Sequence, residues 1–516
     1  MQPGIIVNFF WEIAGIMFLL GYDVGTSSIK ATLMDAETQQ VIASATAPAK
    51  EMEIIAHQVG WAEQHPQTWW ENVKAATVQI QAEARIDAGD IEAIGITYQM
   101  HGLVTVDKNF EPLRPAIIWC DSRAVDIGDR AAKQIGRQKC LEWLLNYPGN
   151  FTATKLKWVM ENEPDIYRRI YKIMLPGDYI AMMMTGRAVT TASGLSEGIL
   201  WDFKDNCLSQ TVLSYLGISP ELLCEPVDTF SIHGRLTQKA ATQLGLKAGI
   251  KVAYRAGDQP NNAFSLNVLN PGEIAATAGT SGVVYGIGAE PNYDDKSRVN
   301  TFIHVNHTAE KPRYGVLLCV AGTGILNSWL KHNVMGAGDD YGRMNELADK
   351  VSVGSDNLVI LPYGNGAERT LENKNIGASI NGLNFNTHGK AHLLRAAQEG
   401  IVFALKYGLG IMHDMGIEVK TVRAGNANMF LSSLFGKAFA TVTAATVELY
   451  NTDGSQGAAR GAGVGAGVYK DFSEAFSGLR KIKTIEPAPH LEGQYSEAYN
   501  RWGSVLAQRL AIVNPT

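Results

Sequence analysis

The sequence predicts an α/β protein built from two related halves. Three observations carry this reading. Buried-strand patterns alternate with amphipathic helical patterns along both halves of the 516 residues. A small polar turn between two apolar runs occurs twice, once early in each half. The length itself suggests about two to four domains.

The first copy of the turn lies in LLGYDVGTSSIKATLMD, residues 19–35, and reads Asp23-Val24-Gly25-Thr26-Ser27-Ser28. The second lies in IAATAGTSGVVYGIG, residues 274–288, and reads Thr277-Ala278-Gly279-Thr280-Ser281-Gly282. Aligned on Gly-Thr-Ser, Gly25 falls opposite Gly279, Thr26 opposite Thr280 and Asp23 opposite Thr277. Such repetition points to an internal duplication. Glycine lets a backbone approach a ligand closely, and successive N–H groups and hydroxyls in a turn form an anion nest. Two facing nests suit a polyphosphate. A carboxylate beside phosphate, as Asp23 would be, calls for a divalent cation between them. One such turn alone reads equally well as a plain hairpin, since Asp, Gly and Ser all favour turns. The pairing favours phosphate.

The other elements follow in chain order. Residues 29–48 read as a strand and a second hairpin arm. Residues 66–84 read as a helix, with Pro66 in the first turn and Trp69, Val73, Ala76 and Ile80 on one face. Residues 91–97 form a buried strand that runs into Tyr98-Gln99-Met100-His101-Gly102. Residues 113–123 read as a strand ending in a polar cluster, and residues 128–216 as mostly helical. Residues 252–268 begin as a strand and turn at Gly257-Asp258-Gln259-Pro260, with a hinge over 264–273. In the second half, 358–364 is a strand and 391–415 a long helix that stops before Gly416. Residues 421–430 give a strand, a tight turn and a helix start, and 453–467 a Gly/Ala helix that allows close backbone packing.

Composition narrows the class. Acidic residues outnumber basic ones, 51 to 45, which excludes the basic footprint of sequence-independent nucleic-acid binding. The five cysteines, Cys120, Cys140, Cys207, Cys224 and Cys319, form no CxxC pair. That pattern predicts a reduced, cytoplasmic enzyme rather than a disulfide scaffold or zinc site. Residues 1–20 are apolar but lack a basic leader and a small-residue cleavage site, and Glu12 interrupts them. Met17 reads as the natural start of the domain, with residues 1–16 as an upstream extension. No other segment reaches the ~18 uninterrupted apolar residues of a membrane span, so neither nucleic acid nor membrane is expected as a partner.

Six stretches together resemble the FGGY carbohydrate kinases, of the actin-like ATPase superfamily. They are YDVGTSSIK, GWAEQHPQTWW, GITYQMHGLVTVD with RPAIIWCDSR, LPGDYIAMMMTG, AGDQPNNA with ATAGTSGVVY, and LPYGNGAERT. They occur in order across about residues 17–470. The resemblance implies two ribonuclease-H-like (actin-like ATPase) domains, 17–264 and 265–516, with ATP and a sugar meeting in the cleft between them. It implies Asp23, Gly25, Thr26 and Ser27 as the first phosphate motif and Gly279, Thr280 and Ser281 as the second, with Mg²⁺ held through water by Asp23.

The resemblance also makes Asp258 the general base. Phosphoryl transfer to an alcohol needs a carboxylate aimed at the attacking hydroxyl, although an Asp in a turn can simply shape the backbone. Gln259 and the turn Met100-His101-Gly102 would contact the sugar. Xylulose-phosphorylating members carry Gln-Met-His-Gly at this turn where glycerol-phosphorylating members carry Arg-Glu, so D-xylulose is the implied sugar and O5 its acceptor. Trp119, with Asp121 and Arg123, would line the sugar pocket or brace its floor, as would Trp61, Glu63 and Gln64. Trp69 and Trp70 read as core.

On the nucleotide side, Ala424-Gly425-Asn426-Ala427-Asn428 stands where the family usually has Gly-Gly-Gly-Ala. Gly366, Glu368 and Arg369 match its GER loop, and Asn327 and Trp329 a helix edging the ATP site. Glu368 and Arg369 read equally well as a structural ion pair. A homodimer is the assembly that the family's habit implies. The competing readings are a family member for ribulose, gluconate or glycerol, a silent sugar sensor, and an ATP-driven conformational switch. Too little chain follows residue 470 for the peptide-binding domain of such a switch.

Overall fold

The computed structural model describes residues 17–336 and 338–513; the reading of residues 1–16 as an extension lies outside them. Two sheets dominate. The first contains β1 (Phe18–Val24), β2 (Ile29–Asp35), β3 (Val41–Ala47), β4 (Ile91–Tyr98), β5 (Gly234–Arg235) and β6 (Lys251–Gly257), in the order β5-β6-β4-β1-β2-β3. The second contains β7 (Ile274–Ala278), β8 (Gly282–Gly288), β9 (Asn300–Ile303), β10 (Tyr314–Val320), β11 (Thr421–Gly425), β12 (Thr446–Tyr450) and β13 (Lys481–Ile485), in the order β9-β10-β8-β7-β11-β12-β13.

The sheets repeat one plan. In the first, β1, β2 and β3 run antiparallel, β4 and β6 add in parallel to β1, and β5 closes antiparallel. In the second, β7, β8 and β10 run antiparallel, β11 and β12 add in parallel to β7, and β13 closes antiparallel. The duplication read from the two turns therefore extends to whole domains. Each hairpin is the start of its sheet, β1–β2 in one and β7–β8 in the other.

The helices needed for the site are α1 (Pro66–Ala84), α2 (Thr152–Asn162), α3 (Ala192–Glu197), α4 (Asp258–Ser265), α5 (Gly324–Asn333), α6 (Lys390–Asp414) and α7 (Gly454–Gly465). Helix α1 buries Trp69, Val73, Ala76 and Ile80 against β2 and β3, on the face its spacing predicts. Helix α6 ends as its sequence predicts, with Gly416 at φ +86°. Helix α7 lies within the second half of the chain, between β12 and β13, but packs across β1, β4 and β6 of the first sheet. Its Gly/Ala composition and two strand glycines make this approach feasible. A Cβ on Gly21 would lie 1.9 Å from the Ser455 carbonyl oxygen, and one on Gly95 would lie 1.9 Å from that of Ala458.

Two local readings are corrected. Of residues 113–123, only Ala116–Ile117 pair as a strand, because Pro115 supplies no N–H to a ladder. Asp258 opens a helix rather than sitting in a free turn, and Pro260 is accommodated in its first turn. Each domain has its own apolar core. A third cluster joins them, with Met100, Leu103 and Ile117 on one side and Val283, Tyr285 and Phe302 on the other. Among the described residues no helix is long and apolar enough to cross a membrane.

Candidate active site

The three parallel strands of the first sheet finish side by side, since Val24 and Gly257 both pair with Tyr98. The chain leaving each strand enters the same crevice, as expected at the carboxyl ends of parallel strands. From β1 come Gly25, Thr26 and Ser27. From β4 come Met100 and His101, and from β6 come Asp258 and Gln259. The β7–β8 turn of the other domain faces them with Thr280 and Ser281. All of these, with Asp23 and Trp119, line one cavity of about 610 Å³.

Other predicted residues lie outside that lining. Gly102 is buried behind it, where a Cβ would meet Pro176 Cγ at 2.7 Å. Gly279 turns its carbonyl to the N-terminus of α5, accepting from the Gly324 N–H at 2.9 Å, while the Thr280 carbonyl accepts from Ile325 at 3.1 Å. Asn428, left-handed at φ +55°, brings its Nδ2 within 3.5 Å of a Cβ built on Gly279. The Asn426 N–H donates to the Tyr450 carbonyl at 2.9 Å, and Gly425 ends β11 beside it. The second hairpin, α5 with its buried Asn327, and the turn after β11 thus form one unit next to the main cavity. A separate apolar cavity of about 410 Å³ runs along α5, lined by Ile325, Trp329, Pro362 and Ile380. Gly366 sits at φ +89° in the loop leading to Arg369.

The cavity also contains residues the sequence did not single out for the site. Lys30, Asn150, Phe151 and Asn300 line it, as does Arg369. The Arg369 guanidinium lies 5.6 Å from the centre of the Phe151 ring. Glu368 is not its partner; Glu368 accepts from the Ala321 N–H at 3.0 Å and from the Thr370 hydroxyl at 3.3 Å. Lys30 was the one cation beside the first turn, and its position on β2 was the available signal. Asn150, Phe151 and Asn300 come from distant segments and carried none.

Trp119 and the pair Asp121 and Arg123 have different surroundings. Trp119 is 47% exposed and faces the cavity. Asp121 and Arg123 are the brace: Arg123 binds Asp121 at 2.7 Å and Glu63 at 2.6 Å, and its guanidinium lies 3.8 Å from the centre of the Trp61 ring. Gln64 joins the first hairpin, donating to the Thr26 carbonyl at 2.8 Å and accepting from the buried Trp69 indole at 3.0 Å.

His101 is held on several sides. Its backbone is left-handed at φ +60°, a conformation that costs a non-glycine residue about 1 kcal/mol. The buried Lys155 on α2 donates to the His101 carbonyl at 2.9 Å and to the Ile118 carbonyl at 3.0 Å. Burial, and then the Lys155 charge, lower the His101 pKa to about 3, so the ring is neutral. Its Nδ1 lies 2.9 Å from the Glu197 carbonyl. A carbonyl can only accept, so Nδ1 carries the proton and Nε2 is an acceptor. Two more acceptors in the cavity lining, Asn150 Oδ1 and Gln259 Oε1, are buried without a partner among the described residues.

The carboxylates are raised. Asp258 is pushed up to about 7 by burial first and by the Asp23 charge second, with hydrogen bonds from Gln259 opposing. Asp23 is pushed up to about 6 by burial, against the pull of Lys30 and with Asp453 adding to it. A base near pH 7 suits proton transfer at neutral pH. Among the described residues no group of three or more His, Cys, Asp or Glu forms a ready-made cation cage. Asp23 and the hydroxyls beside it fit a hydrated Mg²⁺ that takes few protein ligands and relies on phosphate oxygens.

Two facing hydroxyl-rich hairpins, one from each domain, with a near-neutral carboxylate between them, define a small-molecule phosphotransferase. Residues 18–265 match the N-terminal domain of the FGGY family of carbohydrate kinases, and residues 274–468 match its C-terminal domain. The chain belongs to this family.

The chain is 27% identical over 498 residues to the xylulose kinase of Bacillus subtilis, covering 95% of this chain and 96% of that one. A solved xylulose kinase from Rhodospirillum rubrum is 25% identical with a TM-score of 0.83, covering 96% of this chain and 99% of that one. A gluconate kinase from Lactobacillus acidophilus shares the fold at 24% identity and a TM-score of 0.86, covering 96% and 99%.

Proposed function

We propose that this kinase transfers the γ-phosphoryl group of ATP to O5 of D-xylulose, with Asp258 as the general base. One observation carries the reading. Three residues that line one cavity, His101, Asn150 and Gln259, each keep an acceptor without a partner among the described residues, beside a carboxylate raised to about 7. Such a pocket suits a neutral polyol, whose hydroxyls donate to the acceptors while one of them gives its proton to Asp258. The resemblance of the Met100-His101 turn to that of xylulose-phosphorylating kinases supports xylulose among the polyols.

In this mechanism the sugar lies against Trp119, His101 and Gln259. Asp258 removes the proton of the attacking hydroxyl, a role typically worth about 10²–10⁴-fold. Thr26 and Ser27 from one domain, and Thr280 and Ser281 from the other, align and neutralise the phosphates. Lys30 adds a cation on the first side. The adenosine is placed at the turn 424–428 and α5, near Asn327 and Asn428. Bound Mg²⁺ would supply charge neutralisation to the phosphates, and Asp23 would be the residue to hold it through water. Closure of the domains on the sugar excludes water that would otherwise hydrolyse ATP.

Arg369 favours a second reading. A guanidinium in the cleft over Phe151 offers a counter-charge to a sugar acid such as gluconate. The test is ADP release from Mg-ATP with D-xylulose, D-ribulose, D-gluconate or glycerol. Stimulation by xylulose alone supports the first reading, and stimulation by gluconate transfers it to the second. No response to any sugar removes both and leaves a sugar-binding or ATP-switching protein on a kinase fold.

A further inference from the structure

Behind the sugar side of the cleft lies a carboxylic acid that no step above uses. Glu197, the last residue of α3, is 1% exposed. Its carbonyl fixes the His101 ring through Nδ1, and its Oε1 lies 3.5 Å from the His101 backbone N–H. Its Oε2 has no partner among the described residues and is aimed at the backbone that leads into Asp258. A Cβ built on Gly257 would meet that oxygen at 2.4 Å and Met100 Cγ at 2.7 Å. One side chain therefore touches both the residue that reads the sugar and the junction that carries the base. Its helix is also gripped by the other domain. The Ser193 hydroxyl donates to the Ile303 carbonyl at 2.9 Å, and the Ser196 hydroxyl accepts from the Ile303 N–H at 3.0 Å.

We propose that Glu197 is a positioning residue: an uncharged carboxyl group that holds His101 and the Gly257–Asp258 junction at a fixed separation, on a helix clamped to the second domain. The proposal rests on the roles given above to Asp258 and His101. The groups facing Glu197 agree with it. Asp258 and Asp178 bring negative charge, Tyr98 and Tyr285 bring hydroxyls, and His101 is neutral. Arg255, the cation on this side, is taken by Asp178 at 2.8 Å. Burial first, and then the Asp258 charge, hold Glu197 well above the usual carboxylate range. Hydrogen bonds from the His101 N–H and the Tyr98 hydroxyl favour the anion, but burial and the neighbouring Asp258 charge oppose it more strongly, and the neutral acid keeps a proton to donate.

Two variants separate shape and charge. Glu197→Gln keeps the shape and cannot ionise; Glu197→Leu keeps the volume and loses both oxygens. The first readout needs no substrate: the infrared difference spectrum of wild type minus Glu197→Gln at pH 7 is expected to show the C=O band of a buried protonated carboxyl, since the bands of Asp258 and Glu368 are common to both proteins. The second is the pH profile of kcat/KM for the sugar that stimulates the enzyme. Glu197→Gln is expected to stay within about threefold at pH 7 and to lose the alkaline decline that ionisation of Glu197 causes in the wild type. Glu197→Leu is expected to lose about 30-fold or more in kcat/KM while its circular dichroism and Tm hold, as misplacement of reacting groups implies.

Absence of the band, or an acid limb lowered by a pH unit or more in Glu197→Gln, would mean that Glu197 is ionised and overturn the proposal. So would a Leu variant as active as the wild type. A wild type that shows the band but no sugar-dependent turnover would instead remove the reading of Asp258 and His101, and with it the positioning role.

Discussion

The Trp119 indole donates to the Thr26 hydroxyl across 2.9 Å, and Thr26 donates onward to Gln99 Oε1 at 3.2 Å. The Trp119 wall of the cavity and the first hairpin turn are therefore one hydrogen-bonded unit. Gln64 closes the loop, accepting from Gln99 at 3.3 Å. Each bond is worth about 1 kcal/mol, so Trp119→Phe and Thr26→Val should each lower kcat/KM for sugar about fivefold. The double variant should lose less than the product of the two. Steady-state kinetics over the cycle measure this, and simple multiplication of the two losses would dismiss the coupling.

Asp258→Asn keeps the shape at the start of α4 and removes the proposed base. Turnover should fall at least about 100-fold, while KM for sugar and ATP changes less than about threefold. Pre-steady-state burst and steady-state rates separate chemistry from binding. Normal turnover would take Asp258 out of the mechanism.

The same substitution should stabilise the protein. Asp258 moves from 3.8 to about 7 on folding, so between those values the native state binds more protons than the unfolded chain. Stability is then lost as pH rises from about 4 through about 7. Asparagine does not incur that loss. Asp258→Asn should raise Tm by about 2–4 °C at pH 8 and leave it nearly unchanged at pH 4. Calorimetry at both values checks this, and an equal shift at the two pH values would refute the cause.

In the proposed mechanism His101 reads the sugar as a neutral acceptor. His101→Ala should lower kcat/KM for the sugar about 10–100-fold, as loss of a buried, well-aligned hydrogen bond implies, with a much smaller effect on KM for ATP. Because burial holds the ring near 3, no histidine limb near pH 6.5 should separate the two pH profiles. A lost limb at that pH in the variant would show that the ring titrates.

Gly95→Ala should break the packing of α7 on the first sheet. The added methyl would lie 1.9 Å from a backbone carbonyl, which cannot move aside as a flexible side chain can. Overpacking of this kind costs about 1–3 kcal/mol or more. Urea denaturation of the soluble fraction measures it, and an unchanged midpoint would mean that α7 shifts freely over the strands.

Local signals were legible where geometry is local. The 3.6-residue spacing gave α1 and α6, and the paired Gly-Thr-Ser turns gave both hairpins and the duplication. Residues 257–260 looked like a turn because Gly, Asp and Pro favour turns and helix starts alike, and the chain here takes the second. The adjacent residues of the site, Met100-His101 and Asp258-Gln259, were legible because they stand at the ends of buried strands. Arg369, Asn150, Phe151 and Asn300 reach the cavity only through tertiary packing, and Lys155 and Glu197 only through what they hold in place. The Glu368–Arg369 pair shows the limit most clearly. Adjacent opposite charges suggest an ion pair, yet the carboxylate turns to Ala321 and Thr370 while the guanidinium turns to the cleft.

Helix α7 is made late and belongs first. It covers β1, β4 and β6, strands that end at Val24, Tyr98 and Gly257, long before α7 begins at Gly454. During synthesis the first sheet has one apolar face waiting for a helix that is still unmade, while all of the second sheet but β13 is made in between. The two halves are thus interlocked in time as well as in space: the nascent N-terminal half needs shelter for its open face, and a chain stopped before residue 454 would leave the glycines of β1 and β4 with nothing to pack against.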